Sequence, residues 1–174
     1  MKKWSALHGF TVLELLITLS VMLMLLGVAV PSFSQLLSNS QSDRLAAKLV
    51  MTLEQAKTEA IRVNEKVYVH NLGMSQPARQ SWCIVVTLVS VAPASCQDSQ
   101  SLLTVSGESY SALQLQNAEK KRWFDPARGM ASDAMTYVIT ATDMGANQAI
   151  KVMLSKKSRV RRCGTGGVEG YDAC

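Results

Sequence analysis

The stretch FTVLELLITLSVMLMLLGVAV, Phe10 to Val30, is 21 residues long and holds only four polar side chains, Thr11, Glu14, Thr18 and Ser20. Wound as an α-helix it is about 31 Å long, just enough to span a hydrocarbon core. Two lysines, Lys2 and Lys3, precede it, as in a secretory signal. An ordinary signal has a shorter apolar core and a small-residue cleavage site behind it, whereas here Pro31-Ser32-Phe33 follows. The positive flank places Met1–Gly9 on the cytoplasmic side and the remainder on the exported side. A carboxylate within such a run costs about 2.5–3.5 kcal/mol near a bilayer centre, so Glu14 requires a reason.

After Pro31 the chain reads as soluble protein. The proline bends a helix without necessarily ending it, because the polar continuation is again helical. In QSDRLAAKLVMTLEQAKTEAIRV the residues Leu45, Leu49, Leu53, Ala56, Ala60 and Val63 recur at three or four positions, one buried stripe. Glu54/Lys57 and Glu59/Arg62 are i, i+3 pairs on the wetter side. From Asn64 the pattern becomes that of strands. KVYVHN is short and β-branched, SWCIVVTLVSV is a continuous apolar run suited to a central strand, ALQLQ and TYVITAT alternate with period two, and AIKVMLS alternates less cleanly. Turn-rich connections separate them. The order predicts an α+β domain, a long N-terminal helix packed on a small antiparallel sheet. The segments are 1–9, a leader; 10–30, the apolar helix; 31–63, the amphipathic helix; 64–162, β-rich; and 163–174, a glycine-rich tail.

The four cysteines, Cys83, Cys96, Cys163 and Cys174, lack metal-site spacing. They allow three pairings, of which proximity favours Cys83–Cys96 and Cys163–Cys174. In an oxidising compartment each such loop is worth roughly 2–4 kcal/mol.

The opening stretch GFTVLELL resembles the processing signal of type IV pilins and of the pseudopilins of type II secretion. The resemblance implies peptidase cleavage between Gly9 and Phe10 and methylation of Phe10 as the new N-terminus. It implies that 10–30 serves first as a single-pass inner-membrane helix and then as filament core. Glu14 would there pair with the Phe10 amine of a neighbouring subunit, an attraction strengthened at low dielectric. Pro31 matches the family's helix-bending proline. The segment from Ser34 to Val67 is similar to the helix of the FimT/GspH branch. WFDPARGMAS is similar to its aromatic–proline–glycine segment, and SRVRRC to its C-terminal GRxR segment. The expected partners are other pilins, the prepilin peptidase and the inner membrane. The expected location of the domain is periplasmic or extracellular on a pilus of a Gram-negative bacterium.

Six cations, Lys151, Lys156, Lys157, Arg159, Arg161 and Arg162, fall within twelve residues that hold no acid. Removal of the leader lowers the net charge from +5 to +3 (5 − 2), so this segment carries twice the remaining total. A flexible strip of this kind suits phosphate, releasing counterions without reading bases. A solvated positive edge strand that resists sheet-to-sheet pairing is the alternative. The FimT-type GRxR segment is associated with DNA binding in natural transformation, and Arg159 and Arg161 match its arginines, with Ser158 where the family has glycine. The implied function is a minor pilin that captures extracellular DNA; the alternative is a structural minor pilin or GspH-like pseudopilin that primes or caps assembly without DNA.

EKKRWFD combines Lys120, Lys121 and Arg122 with Trp123 and Phe124, a mixture that single-strand binders use, but such aromatics are more often core residues on a strand beside a solvated charged turn, and that reading is favoured. His70 is read as a surface or edge strand residue. No nucleophile–base arrangement, phosphate loop or cofactor site is visible, so no enzyme is expected.

Overall fold

The computed structural model describes residues 10–74, 78–97, 99–142, 144–145 and 147–174, the side chains of 28–35 excepted. The expected leader therefore lies outside the described residues. The chain divides into two compact units, Met1–Leu37 and Ser38–Cys174.

In the first unit the principal feature is the start of helix α1 (Val12–Val63). Thr11 caps it: its Oγ1 accepts from the Glu14 backbone N–H at 3.2 Å. Thr11-x-x-Glu14 thus has the spacing of a capping box, with a carboxylate in the first turn where the helix dipole favours it. Every described side chain from Phe10 to Gly27 is exposed. Among the described residues no helix is long and apolar enough to cross a membrane. The part of α1 in the apolar run whose side chains are described, 12–27, is about 24 Å long, and the run in the sequence continues to Val30. Pro31 lies within α1, and the bend expected there is outside what is described.

In the second unit α1 buries Leu45, Leu49, Leu53, Ala56 and Ala60, with Val63 packed at the margin, as the periodicity predicts. Buried Ser42 and Thr52 donate to the carbonyls of Ser38 and Lys48, one turn back, which satisfies them within the helix. Both expected ion pairs form, Lys57–Glu54 at 3.6 Å and Arg62–Glu59 at 2.6 Å.

Eight strands follow: β1 (Val67–Leu72), β2 (Cys83–Thr87), β3 (Leu103–Ser106), β4 (Leu113–Gln116), β5 (Lys121–Phe124), β6 (Met135–Ala141), β7 (Ala149–Leu154) and β8 (Val160–Thr165). They form the expected antiparallel β domain as two four-stranded sheets, β3-β2-β1-β5 and β4-β6-β7-β8. All named pairings are antiparallel. Their buried faces and the helix stripe share one apolar cluster. A buried polar link joins the sheets: Tyr137 on β6 donates from Oη to Asn71 Oδ1 on β1 at 2.8 Å. The Asn71 amide in turn donates to the Glu119 carbonyl at 2.7 Å. Burial holds the Tyr137 hydroxyl far above its usual pKa, so this donor is fixed across the physiological range.

β2 is an interior strand and wholly buried, but it ends at Thr87. The remaining apolar residues turn back over the sheet, because a disulfide joins Cys83 to Cys96. The resulting flap, residues 88–96, covers the outer side of β1 and β2. It explains why His70 is fully buried on an interior strand, contrary to the surface or edge position expected of it. Its Nε2 lies 3.1 Å from the Val89 carbonyl. A carbonyl only accepts, so the neutral ring carries its proton on Nε2, and Nδ1 is buried without a partner. Burial lowers the imidazole pKa, the Val89 hydrogen bond opposes this, and Lys121 lowers it further.

Trp82, also buried, lies against Gly107, where an added Cβ would come within 2.7 Å of the indole Nε1. Gly107→Ala should therefore cost about 1–3 kcal/mol by overpacking, read as a lower urea midpoint; an unchanged midpoint would refute this packing. His70 loses protons more readily folded than unfolded, so its contribution is full above about pH 6.5 and declines as pH falls below it. Denaturant midpoints at pH 7.5 and 5.0 should differ more in the native chain than in His70→Gln; equal differences would contradict the buried neutral ring.

Candidate functional site

The basic segment is built on the β7–β8 hairpin. Ser158 N–H donates to the Ser155 carbonyl at 2.8 Å, closing a turn over Lys156 and Lys157. The Ser155 N–H donates to the Arg159 carbonyl at 2.9 Å, and Arg159 N–H to Ser155 Oγ at 3.1 Å. Ser158 occupies the left-handed region at φ +58°. That is the position at which a turn of this length favours glycine, so Ser158 meets the requirement at a steric cost. Its side chain is buried and its hydroxyl has no partner. The expected flexible strip is thus a hydrogen-bonded hairpin, and β8 is an edge strand of its sheet.

Register decides where each cation lies. Lys156, Lys157 and Arg159 are exposed in and beside the turn. Arg161 stands opposite Met153, and Lys151 opposite Cys163, so both belong to the outer face. Arg162 stands opposite buried Val152 and belongs to the other face. The turn therefore gathers Lys156, Lys157 and Arg159, Arg161 continues from it, and Lys151 lies further along the outer face. Arg162 is separated from them. Among the described residues, none of the six is within ion-pair distance of an acid.

Arg162 instead lines a cleft of about 570 Å³ with Arg44 and Asp43 of α1 and Tyr171 and Asp172 of the tail. Tyr171 Oη donates to Asp43 Oδ1 at 2.7 Å. Its pKa is pushed up to about 12, first by burial and next by Asp43, with Arg162 pulling it down. Sequence reasoning missed Arg44 and Tyr171 here, because they lie more than a hundred residues apart in the chain and share no motif.

The tail is more ordered than its glycines suggest. Cys163 is bonded to Cys174. Gly164 N–H donates to the Asp172 carbonyl at 2.8 Å, and Cys174 N–H to the Gly164 carbonyl at 3.1 Å. The last residues thus cover the β8 edge at Gly164, while the edge nearer the turn carries the arginines.

Of the assembly residues, Phe10 is exposed ahead of α1 and Glu14 is exposed in its first turn; Gly9 lies outside the described residues. In EKKRWFD, Phe124 is buried core, whereas Trp123 is half-buried on the opposite, outer face of β5. Strand alternation carries that signal, since adjacent residues cannot share a face. Among the described residues no three His, Cys, Asp or Glu side chains meet in a way that could hold a metal.

Two crystal structures of the Pseudomonas aeruginosa type IV minor pilin FimU share this architecture at 16% sequence identity. One has a TM-score of 0.52 and covers 69% of this chain and 90% of its own. The other has a TM-score of 0.55 and covers 70% and 87%. No curated protein matches the sequence. A family model described as type II transport protein GspH matches residues 45–157, from the buried helix stripe to the basic turn and ending just before Ser158. With the pilin fold established and well over half of the chain matched, the protein belongs to the GspH family of type IV pilin-like proteins.

Proposed function

We propose that this chain is a minor pilin that binds extracellular DNA through the β7–β8 hairpin and supports DNA uptake. The observation that carries the reading is the projection of Lys156, Lys157, Arg159 and Arg161 from one turn and its edge strand, with no acid within ion-pair distance among the described residues. Cations held on a rigid turn can meet successive phosphates without ordering a loose chain first, and phosphate contact needs no base sequence. Ser158 maintains the backbone that a glycine would, so the matching arginines keep their positions.

The rest of the chain delivers this hairpin. Cleavage after Gly9 would free Phe10, and the exposed apolar side chains from Phe10 onward would be covered by lipid and then by neighbouring subunits. Glu14, already in a first helical turn, would face the positive N-terminus of a neighbour there. The domain would then be held outside the inner membrane and carried on a pilus. The role is structural and ligand-binding, with no catalytic step.

A purely structural role, as a minor pilin or pseudopilin that primes or caps assembly, is favoured by two observations. The family model is described as a type II transport protein, and positive charge on an edge strand also prevents edge-to-edge pairing.

The full chain in detergent should bind duplex DNA without sequence preference, with log K falling linearly in log salt concentration. Arg159→Gln/Arg161→Gln should weaken binding and reduce the magnitude of that slope by about 2. A double variant that binds like the native chain overturns the hairpin assignment. If the native chain binds no DNA at low salt, the structural role stands instead.

A further inference from the structure

We infer that the outer face of the β3-β2-β1-β5 sheet is a second nucleic-acid surface, a stacking platform for single-stranded DNA built from Tyr68 and Trp123. This deepens the proposed function by naming a partner form and a site on the other sheet. It rests on that reading only for the presence of DNA.

Tyr68 on β1 and Trp123 on β5 are direct cross-strand partners. Their Cβ atoms are therefore about 5 Å apart on one face of the sheet. Both are half-buried, on the face opposite the core, whereas their neighbours Val67 and Phe124 are fully buried. Tyr68 is stacked on buried His70, ring centres 6.2 Å apart, which holds the phenol in place while half of it stays open. Cations surround both rings. Lys66 Nζ sits 4.4 Å from the Trp123 ring centre, and Lys121 Nζ sits 5.6 Å from that of Tyr68. Lys120 is exposed at the start of the strand.

The flap fixes one border. Lys121 Nζ donates to the Ser90 carbonyl at 3.0 Å and to its hydroxyl at 3.2 Å. The nearest acid on β5's approach, Glu119, is engaged with Arg122 at 3.9 Å. What remains is a pair of half-open rings, each with a lysine ammonium over it that an incoming phosphate would draw aside. That chemistry fits an unpaired base on the rings with its phosphates at the lysines. Duplex DNA cannot use it in that way, because its base faces are already stacked on one another. The hairpin by contrast needs only phosphates. Two surfaces with different requirements suit a ligand presented as duplex and met, in part, as a single strand.

The test uses the full chain in detergent carrying Trp4→Phe, so that Trp82, buried, and Trp123 are its only indoles. An oligothymidylate should quench the fluorescence, and a duplex of equal length should quench it far less. Trp123→Leu and Tyr68→Leu, read by anisotropy of a labelled oligothymidylate, should each weaken single-strand binding about tenfold while leaving duplex binding unchanged. Tyr68→Phe, which keeps the ring, should bind as the unsubstituted chain does. Absence of quenching at an oligothymidylate concentration that saturates the anisotropy, or equal binding by Trp123→Leu, overturns the platform. If Arg159→Gln/Arg161→Gln retains duplex binding while Trp123→Leu loses single-strand binding, the platform stands and the hairpin assignment fails. If no DNA binds in either form, both fail together.

Discussion

The domain depends on one buried contact, the stripe of α1 formed by Leu45, Leu49, Leu53, Ala56 and Ala60 against the inner faces of two sheets. Each fully buried leucine contributes about 1.5–3 kcal/mol through the area it removes from water. Neither four-stranded sheet has another apolar surface of comparable extent to cover it. The Asn71–Tyr137 hydrogen bond then fixes the sheets' mutual placement, since breaking it would leave two buried polar groups unpaired. Because the helix occupies the inner side of both sheets, their outer faces and edges are what remains for function.

Those outer surfaces are finished in different ways. On one sheet the Cys83–Cys96 loop folds across β1 and β2, burying His70 and leaving an aromatic strip beside it. On the other, the Cys163–Cys174 loop covers the lower edge of β8 and stops short of the arginines. Each disulfide therefore acts beyond its own loop closure, setting which part of a sheet is covered and which part faces solvent. The hairpin's positive charge and the open rings are both products of where these coverings end.

Much of this was legible in the sequence, for physical reasons that differ by segment. The helix stripe was plain because a 3.6-residue period is local, the strands Leu113–Gln116 and Met135–Ala141 because alternation is local too, and Val67–Leu72 from its β-branched residues. Both disulfides followed from proximity. The division into two sheets was not visible, since β5 pairs with β1 fifty residues earlier and nothing in its four residues announces that partner. His70 was misjudged because the apolar run after Cys83 reads as one strand, whereas its second half returns as a cover. The cationic segment was recognised by composition, but its shape, a turn closed at Ser158 with Arg162 diverted to a cleft with Arg44, depends on register. The resemblance supplied the expectation of a processing signal and drew attention to the arginines, and the alternation of Trp123 and Phe124 held the clue to the outer aromatic face.

The central claim is that the folded β7–β8 turn is where DNA is met. Backbone amide shifts of the isotope-labelled full chain in detergent, followed as duplex DNA is added, test it most directly. The account predicts that the largest changes fall on residues 155–162, with the inter-strand hydrogen bonds of the hairpin retained. Changes concentrated on the helix face 43–63, or none anywhere at low salt, would contradict it.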